Sequence, residues 1–161
     1  MHSELVNDER LTAMGLFAEA FQGLAARFAA QLAEHSLGPV EFEVLLRLAR
    51  TPGGQLRMTD LSAQTTLTTS GVTRVIDRLE RDGLVSRQAC PTDRRSWYSV
   101  ITATGRKRLD TVLPGHLALI DEWFTGQLHP DQLQTVLGAL RTVRDAIRPD
   151  AAVGSALPSG G

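Results

Sequence analysis

The sequence predicts a mainly helical fold of class α+β, in which a pair of short helices runs directly into a two-stranded β-ribbon. Three observations support this prediction. Apolar residues recur with a helical period after Thr69, strand-forming residues flank a Pro-Thr-Asp turn at 91–93, and long apolar helical patterns lie on both sides of this central segment. A helix-turn-helix followed by such a ribbon is a winged helix-turn-helix, and the flanking helices predict a separate helical dimerisation lobe.

The second helix of the pair has one apolar face. Its apolar residues occur at i, i+3, i+4 and i+7, the spacing that places side chains on one side of an α-helix. They are Val72, Val75, Ile76 and Leu79. Thr68 lies just before the helix, where its hydroxyl can accept a hydrogen bond from a backbone N–H that has no partner within the helix. The sequence therefore predicts a buried face and an N-cap.

The opposite face of this helix is polar and basic, which predicts contact with DNA. An α-helix fits the major groove, and Arg74 presents two donors suited to O6 and N7 of guanine. The residues of this helix expected to contact DNA are Thr68, Thr69, Ser70, Thr73, Arg74 and Arg78. Asp77 and Glu80 are expected to pair with arginines at helical spacing. These arginines are Arg74, Arg78 and Arg81. Taken alone, the pattern is equally typical of a structural surface helix.

A ribbon with a basic tip follows this helix. Residues 84–88 and 97–101 are rich in strand-forming side chains, and the intervening Pro91-Thr92-Asp93 has turn chemistry. The tip continues into Arg94 and Arg95. A narrow minor groove has an enhanced negative potential that attracts arginine, so the tip suits the minor groove beside the helix. The order of these elements predicts sequence-specific binding to DNA.

The central segment resembles one known family. Residues 68–87, TTSGVTRVIDRLERDGLVSR, are similar to the recognition helix and first wing strand of MarR family regulators, and DRR followed by ITATG is similar to their wing. The resemblance implies that the Asp-x-Arg signature falls on Asp93 and Arg95, with Arg95 entering the minor groove and Asp93 fixing its side chain. Arg94 is expected to substitute for Arg95 or to contact phosphate. The alternative is a hairpin tip that is only solvated.

Positive charge is concentrated in the same segment. The formal net charge of the whole chain is −1. Between Ser70 and Arg108 there are nine basic and four acidic residues, a surplus of five, so the rest of the chain carries six net negative charges. A basic module in an acidic frame is expected of a protein with one DNA-facing surface. The near-neutral total argues against a protein that coats nucleic acid without specificity.

The flanking segments predict apolar helices that need a further packing partner. Apolar residues recur over about 8–35 and 39–50, and again over about 104–127 and from 130 onward. In the MarR family the first helix and the last two form the dimer interface, and a two-fold symmetric dimer matches a palindromic operator. We expect dimerisation helices at 1–35 and 106–148, a DNA-binding domain at 36–105 and a disordered tail at 149–161. The alternative is a purely intramolecular bundle.

The sequence is less informative about the signal that controls the protein. MarR family members often bind small aromatic ligands between the dimer lobe and the DNA-binding lobe. The aromatic candidates for such a site are Phe17, Phe21, Phe42, Trp123 and Phe124. Aromatic residues at helical spacing are also typical of plain core packing. No metal site is predicted, because His35, Glu41 and His116 lack compact ligand spacing.

The single cysteine, Cys90, lies just before the wing turn. Some MarR family members sense peroxide through a cysteine near the N-terminus, where this chain has none. Cys90 is therefore expected to be a partly buried, inert thiol, with a redox-sensing repressor as the alternative. One cysteine also excludes an internal disulfide framework and fits a reducing cytoplasm.

Other function classes have little support in the sequence. It contains no phosphate-cradling glycine loop, G-x-S-x-G elbow or H-E-x-x-H helix, so neither an enzyme nor a cofactor is expected. No apolar run approaches the roughly 18 residues of a membrane span, and no signal-peptide pattern begins the chain, so the cytoplasm is expected and the membrane is not. A winged-helix module that binds only proteins would not need both Arg74 and Arg95.

The sequence therefore predicts a homodimeric transcriptional regulator that binds double-stranded DNA. We expect a repressor released by a small-molecule ligand, because occluding a promoter requires only tight binding to one site. A regulator without any ligand fits the sequence equally well. The operator, the regulated genes and the effector are not encoded in a readable way.

Overall fold

Long helices precede and follow a small winged unit in the computed structural model, which describes residues 5–65 and 67–149. The helices are α1 (Glu9–Glu34), α2 (Pro39–Arg50), α3 (Met58–Gln64), α4 (Thr69–Arg81), α5 (Ala103–Trp123) and α6 (Pro130–Ile147). The strands are β1 (Gln55–Arg57), β2 (Val85–Cys90) and β3 (Asp93–Ile101), and short 3-10 turns lie at Pro52–Gly54 and Thr125–Gln127. The mainly helical winged helix-turn-helix prediction is confirmed. The predicted tail lies outside the described residues, apart from Pro149.

Local signals in the sequence set where the helices begin. Asp8 caps α1 by accepting a hydrogen bond from the backbone N–H of Arg10 at 2.9 Å, and Thr102 caps α5 in the same way through Gly105 at 3.0 Å. Pro130 occupies the first turn of α6, where a missing N–H costs nothing. The C-terminal end of α5 differs from the prediction, because the helix stops at Trp123 and the chain continues into a 3-10 turn.

The sheet has three strands, not the two that the sequence predicted for the wing. Its order is β1-β3-β2, with both neighbouring pairs antiparallel. The unpredicted strand pairs Leu56 with Ser99 and Arg57 with Tyr98. Three residues are too short for an alternating pattern to indicate a strand, so β1 forms only because β3 offers its free edge.

The hydrophobic core lies between α2, α3, α4, the sheet and the first half of α5. The predicted apolar face of α4 is confirmed, since each of its four side chains is at most 3% exposed. Burying one such side chain stabilises the fold by about 1.5–3 kcal/mol relative to leaving it exposed. Gly105 allows α5 to approach the end of the winged unit, because a Cβ atom there would collide with the carbonyl oxygen of Leu84.

The two terminal helices contribute little to this core. Leu32 is the buried residue of α1, and none of the residues of α6 is buried. The helices α1 and α5 meet α2 at His116, whose ring packs against Phe28 and Phe42 at centroid distances of 4.8 and 4.5 Å. Within the described ranges, every helix is too short or too polar to cross a lipid bilayer.

Candidate nucleic-acid interface

The first turn of α4 presents several hydroxyl groups at the surface. Thr68 is the N-cap, as predicted: its hydroxyl accepts a hydrogen bond from the backbone N–H of Gly71 at 3.1 Å and lies 3.1 Å from the hydroxyl of Ser70. The hydroxyl of Thr73 donates to the carbonyl of Thr69 at 3.1 Å. All four hydroxyl residues are exposed. The positive end of the helix dipole at this turn favours an approaching phosphate.

Arg74 extends from the exposed face of α4, one turn after Ser70. It lies opposite the buried apolar face. In residues 5–65 and 67–149 we find no hydrogen-bond or ion-pair partner for its guanidinium. A guanidinium without a carboxylate partner keeps its rigid pair of donors available for a guanine edge or a phosphate.

Arg78 is held by a carboxylate of another helix. Its guanidinium lies 3.1 Å from Glu41 of α2, although 55% of the Arg78 side chain is exposed. The pair braces α4 against α2. Arg78 therefore has fewer donors available for DNA than Arg74.

The predicted partners of Asp77 and Glu80 are wrong. Both carboxylates pair with Arg87 of β2, each at 2.5 Å, and not with arginines of their own helix. The chain reverses direction at Gly83, which has a φ of 70°, so β2 runs back along α4 and brings Arg87 beside its last turns. Burial alone would lower the pKa of Arg87, but the hydrogen bonds that Arg87 donates to Asp77 and Glu80 outweigh it and raise that pKa.

At the wing tip Asp93 orders the backbone. One carboxylate oxygen accepts the backbone N–H of Arg95 at 3.0 Å, and the other accepts the hydroxyl of Ser96 at 2.6 Å. These bonds, with that from Ser96 the larger, hold the pKa of Asp93 below its usual value. We expected Asp93 to fix the side chain of Arg95, but it binds the backbone N–H of Arg95 instead. The short side chain of Asp93 reaches an N–H two residues ahead more readily than a distant guanidinium. Arg94 and Arg95 are both exposed.

A polar cluster lies behind the wing turn, built from Arg57, Cys90, Thr92 and Tyr98. Arg57 donates to the hydroxyl of Tyr98 at 3.4 Å and to the sulfur of Cys90 at 3.8 Å. Hydrogen bonds from Thr92 lower the pKa of the Cys90 thiol to about 7. Cys90 is only 4% exposed. The prediction of burial is confirmed, but a thiol with this pKa is not electrostatically inert.

The aromatic ligand candidates lie in different parts of the molecule. Phe17 and Phe21 stack on the exposed face of α1 with centroids 6.5 Å apart. Trp123 lies beneath the guanidinium of Arg27 at 4.2 Å. Phe42 is buried against His116, and Phe124 is half-buried at the end of α5. The structure does not gather all five around one cavity.

The three residues considered as metal ligands are engaged separately. The carbonyl of His35 accepts from Arg108 at 2.9 Å, Glu41 pairs with Arg78, and His116 lies 3.1 Å from the side-chain oxygen of Gln31. In the part of the chain that the structure describes, no three His, Cys, Asp or Glu side chains form a group that could hold a metal ion.

Comparisons with known proteins agree with this geometry. A model of the MarR family matches residues 35–96. The HTH-type transcriptional regulator YkoM of Bacillus subtilis is 35% identical over 126 residues, which cover 78% of this chain and 80% of YkoM. The chain belongs to the MarR family. MarR family proteins are transcriptional regulators.

Solved structures of other MarR family members have the same fold. Sco3205 of Streptomyces coelicolor, solved in complex with DNA, is 29% identical with a TM-score of 0.83, covering 88% of this chain and 89% of Sco3205. BpsR of Bordetella bronchiseptica is 26% identical with a TM-score of 0.72, covering 81% and 91%. The prediction of a DNA-binding transcriptional regulator is confirmed. A winged helix that binds only protein is not supported.

Sequence reasoning missed two features around the interface. One is β1, which places Arg57 beside the wing, and the other is Arg87, which joins the wing to α4. The signal for Arg87 was its position two residues after Val85, in a strand that follows a helix carrying Asp77 and Glu80. That position does not by itself tell which way the strand folds back.

Proposed function

We propose that this MarR family member is a homodimeric repressor that reads a palindromic operator with α4 and the wing tip. The observation that carries this proposal is a pair of exposed guanidinium groups on one module, which have no hydrogen-bond or ion-pair partner among the residues that the structure describes. They belong to Arg74 on the exposed face of α4 and to Arg95 at the wing tip. Each is matched to a different groove of DNA. Because the apolar face of α4 is buried, Arg74 on the opposite face points outward.

Each proposed DNA-binding residue has a chemical role. Arg74 reads a guanine edge through two hydrogen bonds, Arg95 enters the minor groove, and Arg94 contacts phosphate. The hydroxyls at the start of α4 contact phosphates or base edges; they belong to Thr68, Thr69, Ser70 and Thr73. Asp93 holds the tip in shape. Arg78 adds a phosphate contact through the part of its side chain that Glu41 leaves exposed.

The dimer proposal rests on the apolar surface of the terminal helices. Large apolar side chains are exposed on α1 and α6; they include Leu11, Met14, Phe17, Phe21, Val143 and Ile147. Phe17 and α6 residues line one open apolar groove. Exposed patches of this kind mark association surfaces. We assign 1–35 and 106–148 to dimerisation and 36–105 to DNA binding. The two recognition helices of such a dimer would have to match half-sites about 34–36 Å apart.

Release by a small aromatic ligand completes the proposal. It is supported by BpsR, whose DNA binding is described as regulated by 6-hydroxynicotinic acid. In this chain the ligand would contact some of the five aromatic candidates. A displacement of a few ångströms between the lobes would then take one recognition helix out of register with its DNA half-site. Such a ligand must prefer the form that does not bind DNA, with typical coupling of about 1–3 kcal/mol.

Selection of duplexes from a random DNA library tests the proposal directly. The selected sites should be palindromic. Arg95→Ala should weaken binding to them, and Arg74→Ala should cost about 1–3 kcal/mol and relax preference at one base pair. Arg10→Ala is the matched control, because it removes one positive charge from α1, outside the winged unit. Unchanged affinity of both Arg95→Ala and Arg74→Ala at fixed salt concentration would overturn the proposed interface.

A further inference from the structure

Arg87 is the side chain through which the wing is bonded to the recognition helix α4. Its two terminal nitrogens bind separate carboxylates, Asp77 Oδ1 and Glu80 Oε2, each at 2.5 Å. The other carboxylate oxygen of Glu80 accepts the backbone N–H of Arg87 at 3.1 Å. Three charge-assisted hydrogen bonds thus converge on one residue of β2.

This arrangement is more rigid than an ordinary surface ion pair. The Arg87 side chain is only 24% exposed, and its planar fork spans two carboxylates that lie one turn apart on α4. A single surface pair on flexible side chains contributes little to structure. Lysine could not reproduce the fork, because its ammonium is a single point charge on a flexible stem.

The strand register connects Arg87 with the wing tip. Arg87 pairs with Ser99, and Ala89 pairs with Trp97. Alternate residues of a strand share one face, so Ser99, Trp97 and Arg95 lie on the same face of β3. Beyond Arg87 the ladder is irregular at Ala89 and Cys90, and every residue from 88 to 95 except Cys90 is exposed. Arg87 is therefore the outermost residue of β2 that bonds to α4 in the described structure.

We propose that Arg87 is a positioning residue for DNA recognition, which fixes the wing against α4 so that Arg95 and Arg74 reach adjacent grooves at the same time. Arg87 also neutralises carboxylates of Asp77 and Glu80 that would otherwise repel phosphates near Arg74. The inference rests on the proposed DNA interface and adds a residue that need not touch DNA.

A double-mutant cycle between Arg87 and Arg95 tests the inference. Arg87→Gln and Arg95→Ala should each weaken operator binding about tenfold, and the double variant should be only about tenfold weaker, because a displaced wing no longer delivers Arg95. Arg10→Gln, which removes the same charge from α1, should not couple with Arg95→Ala. Arg87→Lys should retain only part of the affinity. It also keeps the cycle informative if Arg87→Gln does not fold.

A second measurement detects the local motion of the wing in the absence of DNA. In a Trp123→Phe background Trp97 is the only tryptophan, and it is 48% exposed on the wing. Its time-resolved fluorescence anisotropy should show increased local motion in Arg87→Gln and in Asp77→Asn/Glu80→Gln, with unchanged helix content.

The outcomes separate this inference from the proposed function. If the Arg87→Gln and Arg95→Ala losses multiply to about a hundredfold and Trp97 does not become more mobile, Arg87 does not position the wing, and the interface still stands. If Arg95→Ala alone has no effect, both the minor-groove contact and this inference are wrong. A coupled loss together with a mobile Trp97 supports both.

Discussion

At the scale of single residues, the arginines of the winged unit fall into those that we propose to bind DNA and those paired with carboxylates. Arg74, Arg94 and Arg95 stay at the surface, whereas Arg78 and Arg87 are bound by carboxylates of the same unit. For Arg87 the pairing follows from burial, because a partly buried guanidinium is stable only with its donors satisfied. The number of arginines alone therefore overstates how many contact DNA.

Cys90 provides a prediction at this scale. Hydrogen bonds from Thr92 favour the thiolate, so the pKa of Cys90 is lowered from 9.0 to about 7. The pKa of Cys90 is lower in the folded protein than in the unfolded chain, so the thiolate stabilises the fold fully above the unfolded pKa. This stabilisation is lost as the pH falls through about 7. The rate of alkylation by iodoacetamide, followed by mass spectrometry, should rise with pH with a midpoint near 7.

Thr92→Val is the matched variant for Cys90. It removes the hydroxyl that contributes most to the lowered pKa, so the alkylation midpoint should move to higher pH. Burial of the thiol should slow the reaction and raise the pKa of Cys90 in both proteins, so the difference between their midpoints reports the Thr92 hydroxyl. A wild-type midpoint equal to that of the urea-unfolded chain would show that the cluster does not stabilise the thiolate.

At the scale of elements, the junction of α1, α2 and α5 is built around one buried histidine. His116 is enclosed by Phe28 and Phe42, and its Nδ1 lies 3.1 Å from the side-chain oxygen of Gln31. The amide of Gln31 in turn donates to the carbonyl of Val112 at 3.2 Å. Burial lowers the pKa of His116, because the charged form is poorly solvated there.

This burial predicts a pH-dependent stability. The unfolded chain binds a proton at His116 more readily than the folded protein does, so stability should fall as the pH decreases below about 6.5. His116→Gln, which cannot be protonated, should show a smaller loss. Urea unfolding between about pH 5 and 7.5 measures both slopes. Equal slopes for the wild type and His116→Gln would show that His116 does not titrate differently in the two states.

At the scale of the whole molecule, the exposed apolar face of α6 sets the expected assembly. Val143 and Ile147 are 55% and 72% exposed and line the same groove as Phe17. Analytical ultracentrifugation at micromolar concentration should give twice the mass of one chain. Val143→Glu/Ile147→Glu should produce a monomer with much weaker operator binding, because burying a charge without a partner is costly.

Thr142→Glu is the control for that experiment. It introduces the same charge on an exposed position of α6 that does not line the groove, so the dimer should persist. A wild-type monomer that occupies a single half-site would contradict the proposed assembly. A dimer that survives both groove substitutions would place the interface elsewhere.

The sequence by itself determined most of the elements and the exposed face of α4. The periodic apolar residues and the capping threonines are local signals, because each pattern spans only a few consecutive residues. The predicted N-cap at Thr68 and the buried Val72 and Ile76 follow from such signals. The MarR family could also be recognised, because the residues of its recognition helix and wing are contiguous in the chain.

The partners of these elements and charges depend on contacts that form only when the chain folds. The pairing of β1 with β3, of Arg78 with Glu41 and of Arg87 with α4 joins residues that are separated by 7 to 45 positions. Such contacts depend on the direction in which the chain reverses, at Gly83 for example, and no local pattern specifies that direction. The side chains that we propose for DNA contact are therefore visible in the sequence, whereas the packing of sheet against helix decides which arginines are paired with carboxylates.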